Sequence, residues 1–295
     1  MPAQRFREGA AKMTKVLSPA AVAAFERDGF VPAVPVLTAD EVRYFRGCYE
    51  TFEKRHPEHV KKLKSKSHLL CPWVVELASH AKVLDAFEDL IGPNILCWSM
   101  AWRVKEPDGK TFAGWHQDSV YLPVKPILVF GTLALSECGS EAGCLRVIPG
   151  SHKWDPLPHA DTEDRDSILA RGQYIRAEFD KSNAVDLALK PGEMALINNA
   201  IVHSSAPNRG RDRRMMVLVE MMPTHAVHQG FRDSAMLVRG VDAFRNFDED
   251  PRPDAEFSPA AQAAWKRVID IRAKLIFAGS TLAPSEAYGG TRPAT

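Results

Sequence analysis

The run EMALINNAIVHSSAPNRGRDRRMMVLVEMMPT (193–224) decides the fold. It contains two apolar stretches, 193–205 and 213–224, separated by the turn signal Pro207-Asn208-Arg209-Gly210, and reads as strands that return on one another. Working outward, the same texture recurs in ILCWSMAWRVK (95–105), ILVFGTLALSE (127–137), CLRVIPG (144–150) and AVDLALK (184–190). Turn signals at Pro107-Asp108-Gly109, Cys138-Gly139-Ser140 and Pro191-Gly192 divide these runs. Short strands at this spacing predict a mainly β core, a sandwich or jelly roll. The polar, charged stretch 153–182 interrupts them and predicts an excursion across the mouth of the core, where functional loops concentrate.

The flanks read as helical. Ser18 caps a helix with Pro19 at its first position and Gly29 near its end, and Thr38 precedes Glu41 at capping-box spacing in a second helix over 38–54. Residues 56–68 concentrate Lys61, Lys62, Lys64 and Lys66 and are expected to form a solvated face or loop. A C-terminal helix is predicted over 258–276 behind Ser258, and the last dozen residues read as a loose tail. The expected organisation is one domain over 1–295. It has a helical entry segment (1–93), a core (94–224) with the mouth insert 153–182, and a C-terminal helical segment (225–295).

Composition narrows the function classes. The 295 residues are 45% hydrophobic and 25% charged, which predicts a folded globular chain. Lys plus Arg is 38 against 37 for Asp plus Glu, so the net charge of +1 gives no footprint for nucleic acid or an anionic membrane. No apolar run approaches the roughly 20 residues of a membrane span, and Met1 to Lys15 lacks an apolar signal core. The five cysteines include no C-x-x-C pair, which predicts reduced thiols and a cytoplasmic protein. The partner left is a small-molecule substrate.

The chemistry centres on Trp115-His116-Gln117-Asp118. In an extended segment His116 and Asp118 project to one face, and His203 lies at the end of a second apolar run that a folded sheet can bring beside them. Two imidazoles and one carboxylate form the facial triad of non-haem Fe(II) oxygenases. A second H-x-D, His159-Ala160-Asp161, lies in a polar stretch without a strand pattern and reads as a loop or substrate-side element, while His225 and His228 follow the last strong strand. Ser205 shares the strand face of His203. After the turn come Arg213 and Arg214, either of which could hold a second carboxylate bidentately. Alternation does not choose between them, because MMVLVEMM is apolar at both parities.

The pieces WHQDSVY (115–121), EAGCLRVIPGSH (141–152) and LKPGEMALINNAIVHSSAPNRGRDRR (189–214) resemble the phytanoyl-CoA dioxygenase family of Fe(II)- and 2-oxoglutarate-dependent oxygenases, bacterial branch. FERDGFVPAVPVLTADEV (25–42) is similar to the family's entry segment. The resemblance implies a double-stranded β-helix, a jelly-roll variant, with His116, Asp118 and His203 as iron ligands. It implies Arg214 as partner of the distal 2-oxoglutarate carboxylate, with Ser205 beside it, and so selects Arg214 over Arg213. The implied reaction takes Fe(II), 2-oxoglutarate and O2 and hydroxylates an unactivated C–H, releasing succinate and CO2. Where many members carry Trp this chain has Leu133, which puts one wall of the cosubstrate pocket in doubt. Asp118 is retained, so hydroxylation is expected over the halogenation of a branch that lacks the carboxylate.

HADTEDRDSILARGQ (159–173) and SAMLVRGVD (234–242) resemble a branch that includes aminophosphonate hydroxylases. A small polar or zwitterionic substrate is expected, with Arg103, Tyr121, His159 and Asp161 as candidate contacts. The alternatives are a cupin-like Zn- or Mn-dependent isomerase or hydrolase, or a non-catalytic jelly-roll ligand-binding protein.

Overall fold

The computed structural model describes residues 14–229 and 232–290. Local chemistry starts the helices where expected. In α1 (Pro19–Asp28) the Ser18 hydroxyl accepts the Ala21 N–H, and Gly29 ends the helix at φ 86°, in the left-handed region that glycine enters without a Cβ penalty. In α2 (Ala39–Arg55) Thr38 and Glu41 complete a reciprocal capping box. The helices α3 (Pro72–Ala78) and α4 (Ala81–Ile91) follow, and α5 (Pro259–Ile276) begins behind Ser258.

In chain order the strands are β1 (Phe30–Pro35), β2 (Ile95–Lys105), β3 (Ala113–His116), β4 (Val124–Lys125), β5 (Val129–Ala134), β6 (Leu145–Val147), β7 (His159–Ala160) and β8 (Tyr174–Ile175). They continue with β9 (Val185–Leu187), β10 (Glu193–Asn198), β11 (His203–Ser205), β12 (Arg214–Pro223), β13 (Val227–His228), β14 (Ser234–Arg239) and β15 (Asp248–Glu249). A seven-stranded sheet runs β1-β10-β5-β12-β2-β14-β15 and a four-stranded sheet runs β3-β11-β6-β9. All their pairings are antiparallel except β14 with β15.

Both faces of the larger sheet are buried, against different partners. On β12, Met215, Val217, Val219 and Met221 pack with Phe45, Phe52 and Phe87 of the helices. The alternate residues Met216 and Met222 pack with Val147 and Leu187 of the smaller sheet. Each fully buried side chain of this kind contributes about 1.5–3 kcal/mol. Apolar character at both parities of β12 is therefore the signature of a strand covered on two sides. The result is a jelly-roll core with flanking helices, as the strand texture predicts.

Several expectations need correction. The entry segment is not wholly helical, because β1 pairs with β10 at the edge of the larger sheet, and the C-terminal segment supplies β14 and β15. The run 193–205 is two strands in two sheets. At their junction Asn198 turns the chain, its carbonyl accepting the Ile201 N–H at 3.0 Å and its side chain the Ala200 N–H at 2.9 Å. Residues 56–68 are not a solvated face throughout. After a 3-10 helix over Pro57–Lys64, Ser65 to His68 are all buried, and the Lys66 ammonium bonds Asp250 at 2.8 Å and the Ser234 carbonyl at 2.6 Å. The tail is not loose throughout: Ser285, Ala287 and Tyr288 line a cavity, and 291–295 lie outside the described residues.

Candidate metal centre

Strand register builds the centre. β11 pairs with β3 so that His203 lies directly opposite His116, and the two imidazole centroids are 4.1 Å apart. β3 ends at His116, so Asp118 is not on the strand itself. Gln117 stays extended (φ −123°, ψ 121°), which preserves the same-face projection, and Asp118 begins a 3-10 turn. One potential ligand atom from each of His116, Asp118 and His203 lies within 4.8 Å of the others.

Hydrogen bonds orient both rings. Each Nδ1 faces the carbonyl two residues back, Gly114 at 2.8 Å and Ile201 at 3.0 Å, so donation from Nδ1 leaves Nε2 as the lone pair aimed inward. The two Nε2 atoms stand 3.5 and 3.4 Å from the two oxygens of Asp118. Burial pushes the Asp118 carboxyl up, but His116, His203 and Arg103 outweigh it and hold the group below its ordinary range. Burial and the neighbouring His116 push His203 down to about 4. The chain thus presents two imidazoles and one carboxylate, a donor set that fits a divalent transition metal.

Gln117, which sequence reasoning passed over, braces this motif. Its amide donates to the Ala200 carbonyl at 3.0 Å, its side-chain oxygen accepts the Leu157 N–H at 2.9 Å, and its backbone N–H donates to His159 Nε2 at 3.0 Å. His159 therefore buttresses the centre from behind and does not line its cavity. Asp161 is also turned to the scaffold. It takes two bonds at 2.9 Å and one at 2.7 Å from Arg171, and one from the Ser280 hydroxyl at 2.6 Å. Arg171 further donates to the Ile276 carbonyl at 3.0 Å, tying the mouth insert to the C-terminal segment.

The three metal-site residues, Ser205 and Arg214 line one small pocket of about 90 Å³. Arg213 is excluded from it, paired instead with Glu53 at 2.7 Å and with Glu106. Arg214 points inward, donating to the Gly143 carbonyl at 2.6 Å, while its Nε has no partner. Gly143 sits at φ 68° with the Ala206 carbonyl 2.1 Å from where a Cβ would be, so only glycine lets this carbonyl meet Arg214. Opposite Arg214 in register stands Lys105, 1% exposed and also unanticipated. Its ammonium donates to the Ser205 hydroxyl and the Ala206 carbonyl, both at 2.7 Å. Burial and Arg214 push it down to about 6.

Among the described residues neither cation pairs with a carboxylate. Buried charge without a counterion is costly, and a carboxylate ligand beside Arg214 Nε would answer both groups. The Leu133 departure does not touch this wall. Leu133 packs on the helical side, and Phe130 and Thr132 are the β5 residues that line the pocket.

A second cavity of about 390 Å³ opens beside the first, sharing Arg103 and Asp118 with it. Tyr121 lines it, as do insert residues from Glu163 to Gln173 and the C-terminal Tyr288. Of the four candidate substrate contacts, Arg103 and Tyr121 thus face the larger cavity, and His159 and Asp161 do not. Glu220 and Arg272 also line it. A lone acid inside MMVLVEMM was the signal that could have identified Glu220.

The family model described as phytanoyl-CoA dioxygenase matches residues 6–216. A probable alpha-ketoglutarate-dependent hypophosphite dioxygenase from Stutzerimonas stutzeri is 28% identical over 174 residues, covering 57% of this chain and 60% of that protein. The peroxisomal phytanoyl-CoA dioxygenase of Bos taurus is 29% identical over 142 residues, covering 46% of this chain and 42% of that one. The chain therefore matches about half the length of these curated relatives. Among solved structures, the apo form of the non-heme monooxygenase ThoJ superposes with a TM-score of 0.77 at 28% identity, over 87% of this chain and 97% of that one.

Proposed function

The chain belongs to the phytanoyl-CoA dioxygenase family, and from that premise we propose that it is an Fe(II)- and 2-oxoglutarate-dependent dioxygenase that hydroxylates a C–H of a small polar metabolite. The observation that carries this reading is the adjacency of two features in one pocket: a His-Asp-His donor set, and the buried Arg214, which has no carboxylate partner among the described residues and has Lys105 behind it. A zinc or manganese hydrolase or isomerase would use the first and have no need of the second.

The residues divide the work. His116, Asp118 and His203 hold the metal through Nε2, a carboxylate oxygen and Nε2, and leave the remaining positions open to ligands. Two neutral imidazoles and one carboxylate keep the loaded centre at net +1, which favours a dianionic cosubstrate. Arg214 receives the distal carboxylate of 2-oxoglutarate through Nε, and Lys105, held by Ser205, adds its charge. When bound, iron with 2-oxoglutarate and O2 supplies the oxidising power that converts C–H to C–OH with release of succinate and CO2.

Arg103, at the junction of the two cavities, and Tyr121, in the larger one, contact substrate. The insert and C-terminal segment, clasped by Arg171, keep bulk water from that space. The charged wall of the larger cavity supports a polar substrate over a long acyl chain. An aminophosphonate remains the lead drawn from the resemblance of 159–173 and 234–242. No helix among the described residues is long and apolar enough to cross a membrane, and we place the protein in the cytoplasm.

The test is an anaerobic titration of the metal-free protein with Fe(II) and then 2-oxoglutarate, followed by the visible charge-transfer band of a chelated 2-oxo acid. A saturating band establishes the oxygenase centre. Metal binding without the band would overturn the reading in favour of a redox-silent cupin-like enzyme or binding protein.

A further inference from the structure

The oxygenase reading leaves the substrate class open, and the inference here rests on that reading and narrows it. β12 carries ionisable groups at both ends of its inner face. Arg214 lies in the small pocket, and Glu220 lies six residues further on, about 20 Å along the strand. Glu220 is 4% exposed and lines the larger cavity. Among the described residues its one hydrogen bond is at Oε2, accepted from Arg272 Nη2 at 3.2 Å.

Arg272 is in turn fixed. Its guanidinium stacks 3.6 Å from the Trp98 ring centroid, and the Trp98 indole N–H donates to Asp233 at 2.6 Å. Glu220 is therefore held at one oxygen, and its other oxygen has an unfilled capacity to accept.

The chain answers the charge around this end in pairs. Lys66 bonds Asp250, and Arg272 meets Glu220. Among the described residues, those lining the larger cavity include four basic and four acidic side chains, and Glu220 is the acidic one that is buried. Burial pushes its carboxyl up even with Arg272 beside it, so a cationic donor at the open oxygen would stabilise the carboxylate form.

We propose that Glu220 is a specificity-determining residue that receives a positively charged nitrogen group of the substrate, an ammonium or a guanidinium. The oxidised carbon then lies on the segment between that nitrogen and the metal. Arg272 acts as a positioning residue that sets the angle of the carboxylate. Arg103, at the metal side of the same cavity, is available to an anionic group at the other end of the molecule.

The test uses two matched sets of probes on the Fe(II)- and 2-oxoglutarate-loaded protein without O2. One set is the ω-amino acids from 3-aminopropanoate to 6-aminohexanoate, and the other is the carboxylates of equal chain length that lack the amine. Binding is read by perturbation of the charge-transfer band and by thermal shift. The expected result is a preference of about tenfold or more for the amine at its best chain length.

Glu220→Gln removes that preference, with the 2-oxoglutarate titration reporting that the variant is folded. Glu220→Asp keeps the preference and moves the best chain length up by one methylene, and it decides the matter if the Gln variant does not fold. Equal binding of the two sets by the parent, or an amine preference that survives Glu220→Gln, overturns the proposal. If the parent forms no band, the oxygenase reading fails by itself, and the thermal shifts still decide the role of Glu220.

Discussion

The two ends of β12 treat buried charge in opposite ways. At one end Arg214 stands opposite Lys105, both almost fully buried, and the described residues offer them hydroxyl and carbonyl oxygens but no carboxylate. At the other end Glu220 stands opposite Ser99, and Arg272 crosses from α5 to meet its charge. The same strand, sheet and degree of burial thus give a charge that awaits a ligand and a charge answered within the chain. Mutation should cost 2-oxoglutarate affinity at the first end and, where it removes Arg272, fold stability at the second.

The largest effect is expected between the ends. Asp118→Ala removes the carboxylate shared by both cavities, and 2-oxoglutarate-dependent succinate formation should fall at least about a thousandfold, ~4 kcal/mol. The charge-transfer band should be lost while the melting transition remains, since Asp118 meets the imidazoles at the cavity and is not part of the apolar core. Turnover at the parent rate would move the carboxylate ligand elsewhere and remove the centre that joins the two ends.

Next is Arg272→Met, which leaves Glu220 buried without its partner and should lower unfolding free energy by about 3–5 kcal/mol, read by urea denaturation. An unchanged midpoint would mean that Glu220 is protonated and needs no counterion. Arg214→Ala should do the reverse. Losing a bidentate contact to a buried carboxylate weakens 2-oxoglutarate binding by about 2–5 kcal/mol. The apo protein should hold its stability, because the change also removes a buried charge that has no carboxylate partner among the described residues. A large loss of stability with intact 2-oxoglutarate affinity would erase the contrast between the ends.

How far these features could be read from sequence follows from what pattern encodes. The H-x-D motif and His203 were legible because their spacing and strand context are local, and the jelly roll because strand texture repeats. The choice of Arg214 over Arg213 was not legible by alternation: helices cover one face of β12 and the smaller sheet covers the other, so both parities are apolar. Lys105 reads as a polar strand end, and only its register against Arg214 shows that it is enclosed. Lys66 and Asp250 are 184 residues apart and form a buried pair that a lysine-rich stretch reads as surface. His159 and Asp161 looked like chemistry because of their spacing, but tertiary partners recruited them as braces.

The smallest expected effect sharpens the comparison through protons. Burial and Arg214 push Lys105 down to about 6, with Cys138 and Cys144 opposing weakly. Between that value and the ordinary lysine range the unfolded chain holds a proton here that the folded apo protein lacks, so apo stability should rise with pH across the window. A dicarboxylate in the pocket reverses the local sign by giving the ammonium a counterion and raising its pKa. Binding of 2-oxoglutarate near pH 7.5 should therefore take up a fraction of a proton, and affinity should fall as pH rises. Calorimetry in phosphate and in Tris reads the uptake as a difference in apparent enthalpy, and Lys105→Met should abolish it. Glu220 is answered by Arg272 whether or not 2-oxoglutarate is bound, so Glu220→Gln should leave the uptake in place. Uptake that survives Lys105→Met would locate the proton elsewhere and leave Arg214 as the single cation awaiting the ligand.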